Sequence, residues 1–169
     1  MTSDAGSPVM QLFQRTLKDM YAAEQLLPHT LGELRKSCIS AELSLLLLDA
    51  RTITNDHLAR LEHIFKITET PMEKGSCGML EDIDQEISKL RQEKNNDAHF
   101  RELALIGTAH QLLHYKIAGY GNLSRISRKY GYTEAADLLT ASRQEEQELD
   151  MKLNAVAEEM MREQKKQQN

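Results

Sequence analysis

Residues 103–123 read LALIGTAHQLLHYKIAGYGNL, and the pattern of this stretch decides the fold. Its apolar side chains recur every three or four residues, which is the spacing of one face of an α-helix. Lys116 stands within this apolar stripe. The stretch therefore predicts a long amphipathic helix whose buried face carries one cationic side chain.

The same spacing recurs in three other parts of the chain, and each stripe again contains one titratable residue: Glu24, His57 or Glu146. We predict four long helices, at about residues 8–37, 40–70, 97–129 and 133–161. Helix bundles place acids and histidines in their cores when they hold metal ions. A lysine in the same position does not fit a metal site, so the function depends on whether this bundle binds metal or has lost that ability.

The connections between these helices differ in length. The first and last are short, so the helices that they join should be antiparallel neighbours. Residues 71–96 are long enough to run the length of the bundle, and they contain a short helical pattern from Met79 to Leu90. One long crossover is typical of ferritin-like bundles. We therefore predict an all-α, ferritin-like four-helix bundle with a short helix in its crossover.

The length of 169 residues suits one domain with a substantial core. We predict a disordered lead at residues 1–7, the bundle at 8–161 and a polar tail at 162–169. The tail reads REQKKQQN and should fray from the end of the last helix.

Composition and charge exclude several classes of protein. The net charge is −5 with mixed signs, so no basic face favours nucleic acid. The longest apolar run, Leu45–Leu48, is far shorter than the roughly 20 residues that span a bilayer. The first ten residues lack the basic and apolar regions of a signal peptide, and two cysteines suit a reducing compartment. We predict a cytoplasmic protein that binds neither nucleic acid nor membrane.

Several motifs resemble one known family. Residues 17–24, LKDMYAAE, resemble its L-x-D-x-Y-x-A-E signature, and residues 114–121, HYKIAGYG, resemble its H-Y-x-I-A-x-Y-G. Residues 131–139 and 145–153 are similar to its last helix. The chain thus resembles the YciE/YciF-type ferritin-like family over about residues 10–157. The resemblance implies a dimeric, cytoplasmic four-helix bundle whose carboxylates suit a dinuclear metal site.

The resemblance also shows where the expected ligands are missing. Glu24 matches the acid of the first helix, and His57 matches a position that holds Gln or His. Where related chains carry acids, this chain has Thr52 and Ile53 in the second helix, and Leu113 and Lys116 in the third of the long helices. Acids remain in the last helix, namely Glu145, Glu146 and Asp150.

Three interpretations of these residues stay open. Lys116 can form a core ion pair with Glu24 and Glu146, replacing metal as the counter-charge, because unpaired buried acids destabilise a fold. Alternatively its ammonium reaches solvent while its stem is buried. A residual mononuclear site from Glu24, His57 and Glu146 is the third interpretation, and His57 by itself can also be an ordinary core residue.

Another candidate is the pair His110 and His114, which are spaced i, i+4 on one predicted helix. Two histidines at this spacing can bind a metal ion from one face of a helix. They can equally be ordinary polar residues of that helix.

We therefore predict a ferritin-like bundle with a degenerate dinuclear metal site and a structural or stress-associated interaction role, without enzymatic activity. A homodimer is expected from the resemblance and from surplus apolar residues at Met10, Leu12, Phe13 and Leu45–Leu48. No cofactor is expected. The alternative is a metal-binding protein or metal-dependent oxidase that uses iron or manganese at a reduced carboxylate and histidine site.

Overall fold

The computed structural model describes residues 7–73, 75–92 and 97–167, and these form five helices and no strand. The helices are α1 (Pro8–Ser37), α2 (Ala41–Ile67), α3 (Gly78–Gln92), α4 (Ala98–Lys129) and α5 (Thr133–Gln167). The predicted all-α four-helix bundle with a helix in its crossover is confirmed. Residues 1–6 of the predicted disordered lead lie outside the described residues.

Hydrogen bonds between α1 and α2 show that these helices are antiparallel. Tyr21, in the middle of α1, donates to Glu62 near the end of α2 at 2.9 Å. Arg35, at the end of α1, donates to Ser44 at the start of α2 at 3.0 Å. Because a later residue of α1 contacts an earlier residue of α2, the two helices run antiparallel and form a hairpin.

The crossover brings the chain back along the bundle, and α3 carries part of that path. Thr30 of α1 donates to Asp84 of α3 at 3.0 Å, and Arg91 farther along α3 pairs with Glu33 at 2.6 Å. The chain in α3 therefore advances in the same direction as α1. It delivers α4 to the end of the bundle from which α2 started.

Side-chain caps define where α1 and α2 begin. The Ser7 and Ser40 hydroxyls accept hydrogen bonds from the backbone N–H groups of Met10 and Leu43, both at 3.2 Å. Such caps satisfy donors that a helix start leaves free. Glu102 of α4 is buried and accepts from two backbone N–H groups in the α1–α2 turn, each at 2.8 Å. The turn is thus tied to a third helix.

Two helix ends differ from the prediction. Helix α2 ends at Ile67 rather than near residue 70, because Glu69 adopts a φ of 50° and the backbone N–H of Thr70 bonds to Phe65 at 3.0 Å. Helix α5 continues to Gln167, into the segment predicted as a polar tail. Arg162 pairs with Glu158 one turn earlier at 3.1 Å, a spacing that supports an exposed helix.

The core is divided into two apolar clusters by a layer of polar side chains. The Leu34 cluster includes Leu27, Leu34, Leu43, Leu105, Leu112 and Leu153. The Phe13 cluster includes Phe13, Leu17, Leu61, Ile64, Leu123 and Leu139. Along every long helix, one of the titratable residues Glu24, His57, Lys116 and Glu146 falls between these two sets. We call these four residues the polar layer.

Apolar residues that were predicted to be surplus divide into two groups. Met10 and Phe13 are 4% and 0% exposed and belong to the core, so their assignment to a dimer surface is wrong. Leu12 and Leu45 remain 45% and 60% exposed. Among the described residues, no helix combines the length and the apolar character that crossing a membrane requires.

Gly75 allows the crossover to pack against the backbone of α1. A Cβ atom at this position would lie 2.1 Å from the carbonyl oxygen of Lys18 and 2.7 Å from the backbone nitrogen of Asp19. We expect Gly75→Ala to lower the free energy of unfolding by about 1–3 kcal/mol, because it overpacks this contact. Urea denaturation measures the change.

Gly107→Ala is the matched control, since a Cβ at Gly107 meets nothing within 4 Å. In the middle of α4, alanine should leave stability unchanged or raise it by about 0.5–1 kcal/mol. Equal effects of the two substitutions would show that the contact between Gly75 and α1 is not formed.

Candidate functional site

The structure brings the four residues of the polar layer together in the middle of the bundle. Each long helix supplies one of them, and all are at most 3% exposed. Each stands where the helical spacing turns a side chain inward, which is why the sequence pattern located them. The layer is the chemically distinctive region of the bundle interior.

Lys116 lies between the two carboxylates. Its Nζ is 2.5 Å from Oε1 of Glu146 and 3.1 Å from Oε1 of Glu24. Burial would lower the pKa of Lys116, but the two carboxylates outweigh burial and raise it above its ordinary value. With this raised pKa, Lys116 is a charged ammonium. Because the side chain is only 4% exposed, the ammonium does not reach solvent.

Glu24 accepts hydrogen bonds from two other buried groups. The Tyr120 hydroxyl donates to its Oε1, and Nδ1 of His57 lies 3.2 Å from the same atom. Burial raises the pKa of Glu24, but Lys116, His57 and Tyr120 together lower it below its ordinary value. Glu24 is therefore held as a carboxylate.

His57 faces a carboxylate from each of its ring nitrogens. Besides the contact of Nδ1 with Glu24, its Nε2 lies 2.7 Å from Oε2 of Glu145. His57 thus links Glu24 of α1 to Glu145 of α5 through its two ring nitrogens. The positive charge that faces the carboxylates of Glu24 and Glu146 at short distance is the ammonium of Lys116.

Glu145 and Arg60 extend this network toward the surface. Two N–H groups of Arg60 donate to the two oxygens of Glu145, at 2.7 and 2.8 Å. Arg60 lowers the pKa of Glu145. The sequence pattern indicated Glu145 only as an acid that remains in the last helix, and it did not indicate Arg60. Arg60 follows His57 by three residues and so lies on the same side of α2, and this spacing was the available signal.

Glu146 differs from Glu24 in its proton affinity. Burial raises the pKa of Glu146 above its ordinary value, although Lys116 opposes the rise. The Oε2 atoms of Glu24 and Glu146 are buried and have no hydrogen-bond partner within the described part of the chain. Glu146 is thus the first of these carboxylates to take up a proton as the pH falls.

The donor set does not fit the dinuclear metal site that the family resemblance implies. Such sites use four or more carboxylates with histidines. Among the positions that depart from the family pattern, Leu113 is buried and apolar and Ile53 packs against the Leu34 cluster. Thr52 is exposed, so this position faces away from the layer. Two carboxylates remain in the layer, and an ammonium stands between them.

A second group of titratable residues lies on the outer face of α4 and α5. Asp150 Oδ1 is 2.8 Å from Nδ1 of His110 and 3.0 Å from Nε2 of His114. Among the described residues, two groups each offer three potential ligand atoms that lie within 4.8 Å of one another. One is this surface group, and the other is Glu24, His57 and Glu146. The spacing of His110 and His114 predicted the histidine pair, but Asp150 joins it only through the packing of α4 and α5.

Comparisons with known proteins agree with this architecture. A family model described as a domain of unknown function, DUF892, matches residues 9–166. The chain is 28% identical over 152 residues to Protein YciF of Escherichia coli strain K12, covering 88% of this chain and 90% of that one.

Two solved structures have the same fold. The E. coli stress protein YciF superposes with a TM-score of 0.85 at 26% identity, covering 92% of this chain and 98% of that one. YcfI from Rhodopseudomonas palustris gives a TM-score of 0.78 at 24% identity, covering 91% and 98%. These matches confirm the resemblance that the motifs indicated.

The ion pair in the polar layer should be essential for stability. Removing one partner of a buried pair typically costs about 3–5 kcal/mol, so Lys116→Met should lower the free energy of unfolding by about that amount. Adding Glu24→Gln should recover part of the loss, because it removes one of the two uncompensated carboxylates. A double-mutant cycle in guanidinium chloride measures both effects, and a neutral Lys116→Met would contradict the ion pair.

The destabilisation by Lys116→Met should depend on pH. Glu24 has a lowered pKa in the native protein, so the contribution of Glu24 to wild-type stability is lost as the pH drops from about 4.5, its ordinary value, through that lowered pKa. Without the ammonium, burial should raise the pKa of both carboxyls, so protonation stabilises the native variant. The difference in the free energy of unfolding between the wild type and Lys116→Met should therefore be largest near neutral pH and should be small below about pH 4.5.

Denaturant melts from pH 7 to pH 3.5 measure this gap. Lys89→Met serves as the control, because Lys89 is exposed and lies 3.5 Å from Glu86. The difference in the free energy of unfolding between Lys89→Met and the wild type should stay small at every pH. A gap for Lys116→Met that widened toward acid would contradict the assigned charges.

Proposed function

The chain belongs to the DUF892 family, and we propose that it is a structural and interaction protein in which an internal ion pair has replaced a dinuclear metal site. In this role, the bundle is a stable scaffold that binds other proteins. It performs no metal-dependent reaction. The observation that carries the proposal is the ammonium of Lys116, which lies within 3.1 Å of both buried carboxylates.

The ammonium opposes metal binding in three ways. A protonated lysine has no lone pair to offer, so it cannot be a ligand. It also contacts Oε1 of Glu24 and Oε1 of Glu146, which a bound ion would need. At such a short distance in a buried site, its positive charge repels an incoming cation strongly.

Assembly and location are further parts of this proposal. The related E. coli protein is described as a stress protein, and the family resemblance implies a cytoplasmic dimer. A homodimer is supported by the exposed apolar side chains of Leu12 and Leu45. We propose that the protein acts under stress in the cytoplasm as a homodimer, through contacts between proteins rather than through catalysis.

One observation favours a second candidate, a metal-binding protein with a mononuclear site. Glu24 Oε2 and Glu146 Oε2 are buried without a hydrogen-bond partner in the described residues. Together with His57 they offer two oxygens and a nitrogen, a donor set suited to iron or manganese. Binding of this kind would require Lys116 to move away or lose its proton.

Metal content separates the two candidates. Protein purified from cells grown with added iron and manganese should contain much less than one iron or manganese ion per chain, measured by plasma mass spectrometry. Restoring acids with Ile53→Glu, Leu113→Glu and Lys116→Glu together should create a site that retains metal through gel filtration. Thr52→Glu is the matched control, because its exposed side chain should add no binding.

The structural proposal would be overturned by stoichiometric iron or manganese in the unmodified protein that Glu146→Gln abolishes. That result would establish the mononuclear candidate instead.

A further inference from the structure

We propose that His110, His114 and Asp150 form a surface site for a divalent transition-metal ion of the zinc class, separate from the polar layer. His110 and His114 are one turn apart on α4, and their rings are 5.9 Å apart. Asp150 reaches them from α5, and its Oδ1 lies within 3.0 Å of a nitrogen of each ring. Two imidazoles and a carboxylate therefore converge on one point.

The chemistry of these donors selects the class of ion. Neutral imidazole nitrogens suit zinc, copper and nickel, whereas magnesium and calcium prefer oxygen ligands alone. Two histidines and one carboxylate are a frequent set for zinc with an open fourth position. Ligands at about 2.0–2.2 Å from zinc stand roughly 3.3 Å apart in a tetrahedron. The observed spacings of 2.8 and 3.0 Å need only a small expansion to admit an ion.

The surroundings both hold the ligands in place and leave access. The side chains of His110 and Asp150 are 21% and 19% exposed, whereas that of His114 is 64% exposed. A groove of about 470 Å³ runs beside the site and is lined by His114, Asp150 and Gln147. An ion can enter from this groove, and water can complete its coordination.

Arg125 and Arg143 line the same groove. Their guanidinium groups are permanently charged, so they favour water or an anion over another cationic group as the remaining ligand. In the polar layer, by contrast, an ammonium stands among the carboxylates themselves. The surface site contains no lysine or arginine among its ligands, and zinc binding there does not require any change in the core.

Isothermal titration of the metal-free full chain with ZnCl₂ tests the proposal, and Co²⁺ absorption spectra report the ligands. We expect one zinc ion per chain, and Co²⁺ should give the visible bands of a coordinated ion. His114→Ala and Asp150→Asn should each weaken binding by at least about tenfold, since even a residue that only supports a ligand contributes about 10–100-fold. Both side chains lie on the outer face, and thermal melts verify that the variants fold.

His63→Ala is the matched control. His63 also contacts a carboxylate, Glu134 at 2.8 Å, but it has no second histidine one turn away. This variant and Glu146→Gln should bind zinc as the wild type does. The proposal is overturned if zinc does not bind, or if His114→Ala and Asp150→Asn bind it unchanged. Zinc binding that Glu146→Gln alone abolishes would place the ion in the core and contradict the proposed function as well.

Discussion

Two carboxylates buried in the middle of a helix bundle require positive charge nearby, and the interior of this protein is organised around that requirement. Lys116 supplies this charge at 2.5 and 3.1 Å from the two carboxylates, and both ring nitrogens of His57 contact carboxylate oxygens beside it. A buried charge that lacks compensation destabilises a fold strongly. The helices must therefore pack so that Lys116 and His57 each reach both Glu24 and Glu146, and the apolar residues fill the space on either side.

The proposed replacement of a metal ion by the ammonium of Lys116 changes what the interior can do. A metal ion accepts further ligands and can leave, whereas an ammonium is covalently attached and offers no coordination position. Buried ion pairs contribute little net stability compared with well-packed apolar residues, although breaking one is costly. Under the proposed function, the layer is therefore a remnant of ligand geometry rather than a gain in stability. The same proposal assigns function to the outer surfaces of the bundle.

The apolar spacing predicted the helices well because a stripe of buried side chains is a local property of the chain. It failed at the end of α2, where the left-handed conformation of Glu69 leaves no mark in the pattern. The sequence pattern indicated the site residues that interrupt the apolar stripe with a titratable side chain. It did not indicate Tyr120, because a tyrosine within the stripe resembles any other apolar core residue. Glu145 and Asp150 gain their partners only when α5 packs against its neighbours. Such contacts depend on tertiary structure, which spacing along one helix does not contain.

The position of the polar layer between the Leu34 cluster and the Phe13 cluster has a consequence for how the helices align lengthwise. Sliding one helix by a single turn, about 5.4 Å, would move its titratable side chain toward an apolar cluster and would bring a buried apolar residue such as Met20, Leu61 or Leu112 among the remaining layer residues. Each such register error isolates a buried charge, so the layer excludes shifted packings more strongly than it stabilises the correct one. The apolar residues on both sides can then vary in size through evolution while the helices keep a common axial alignment.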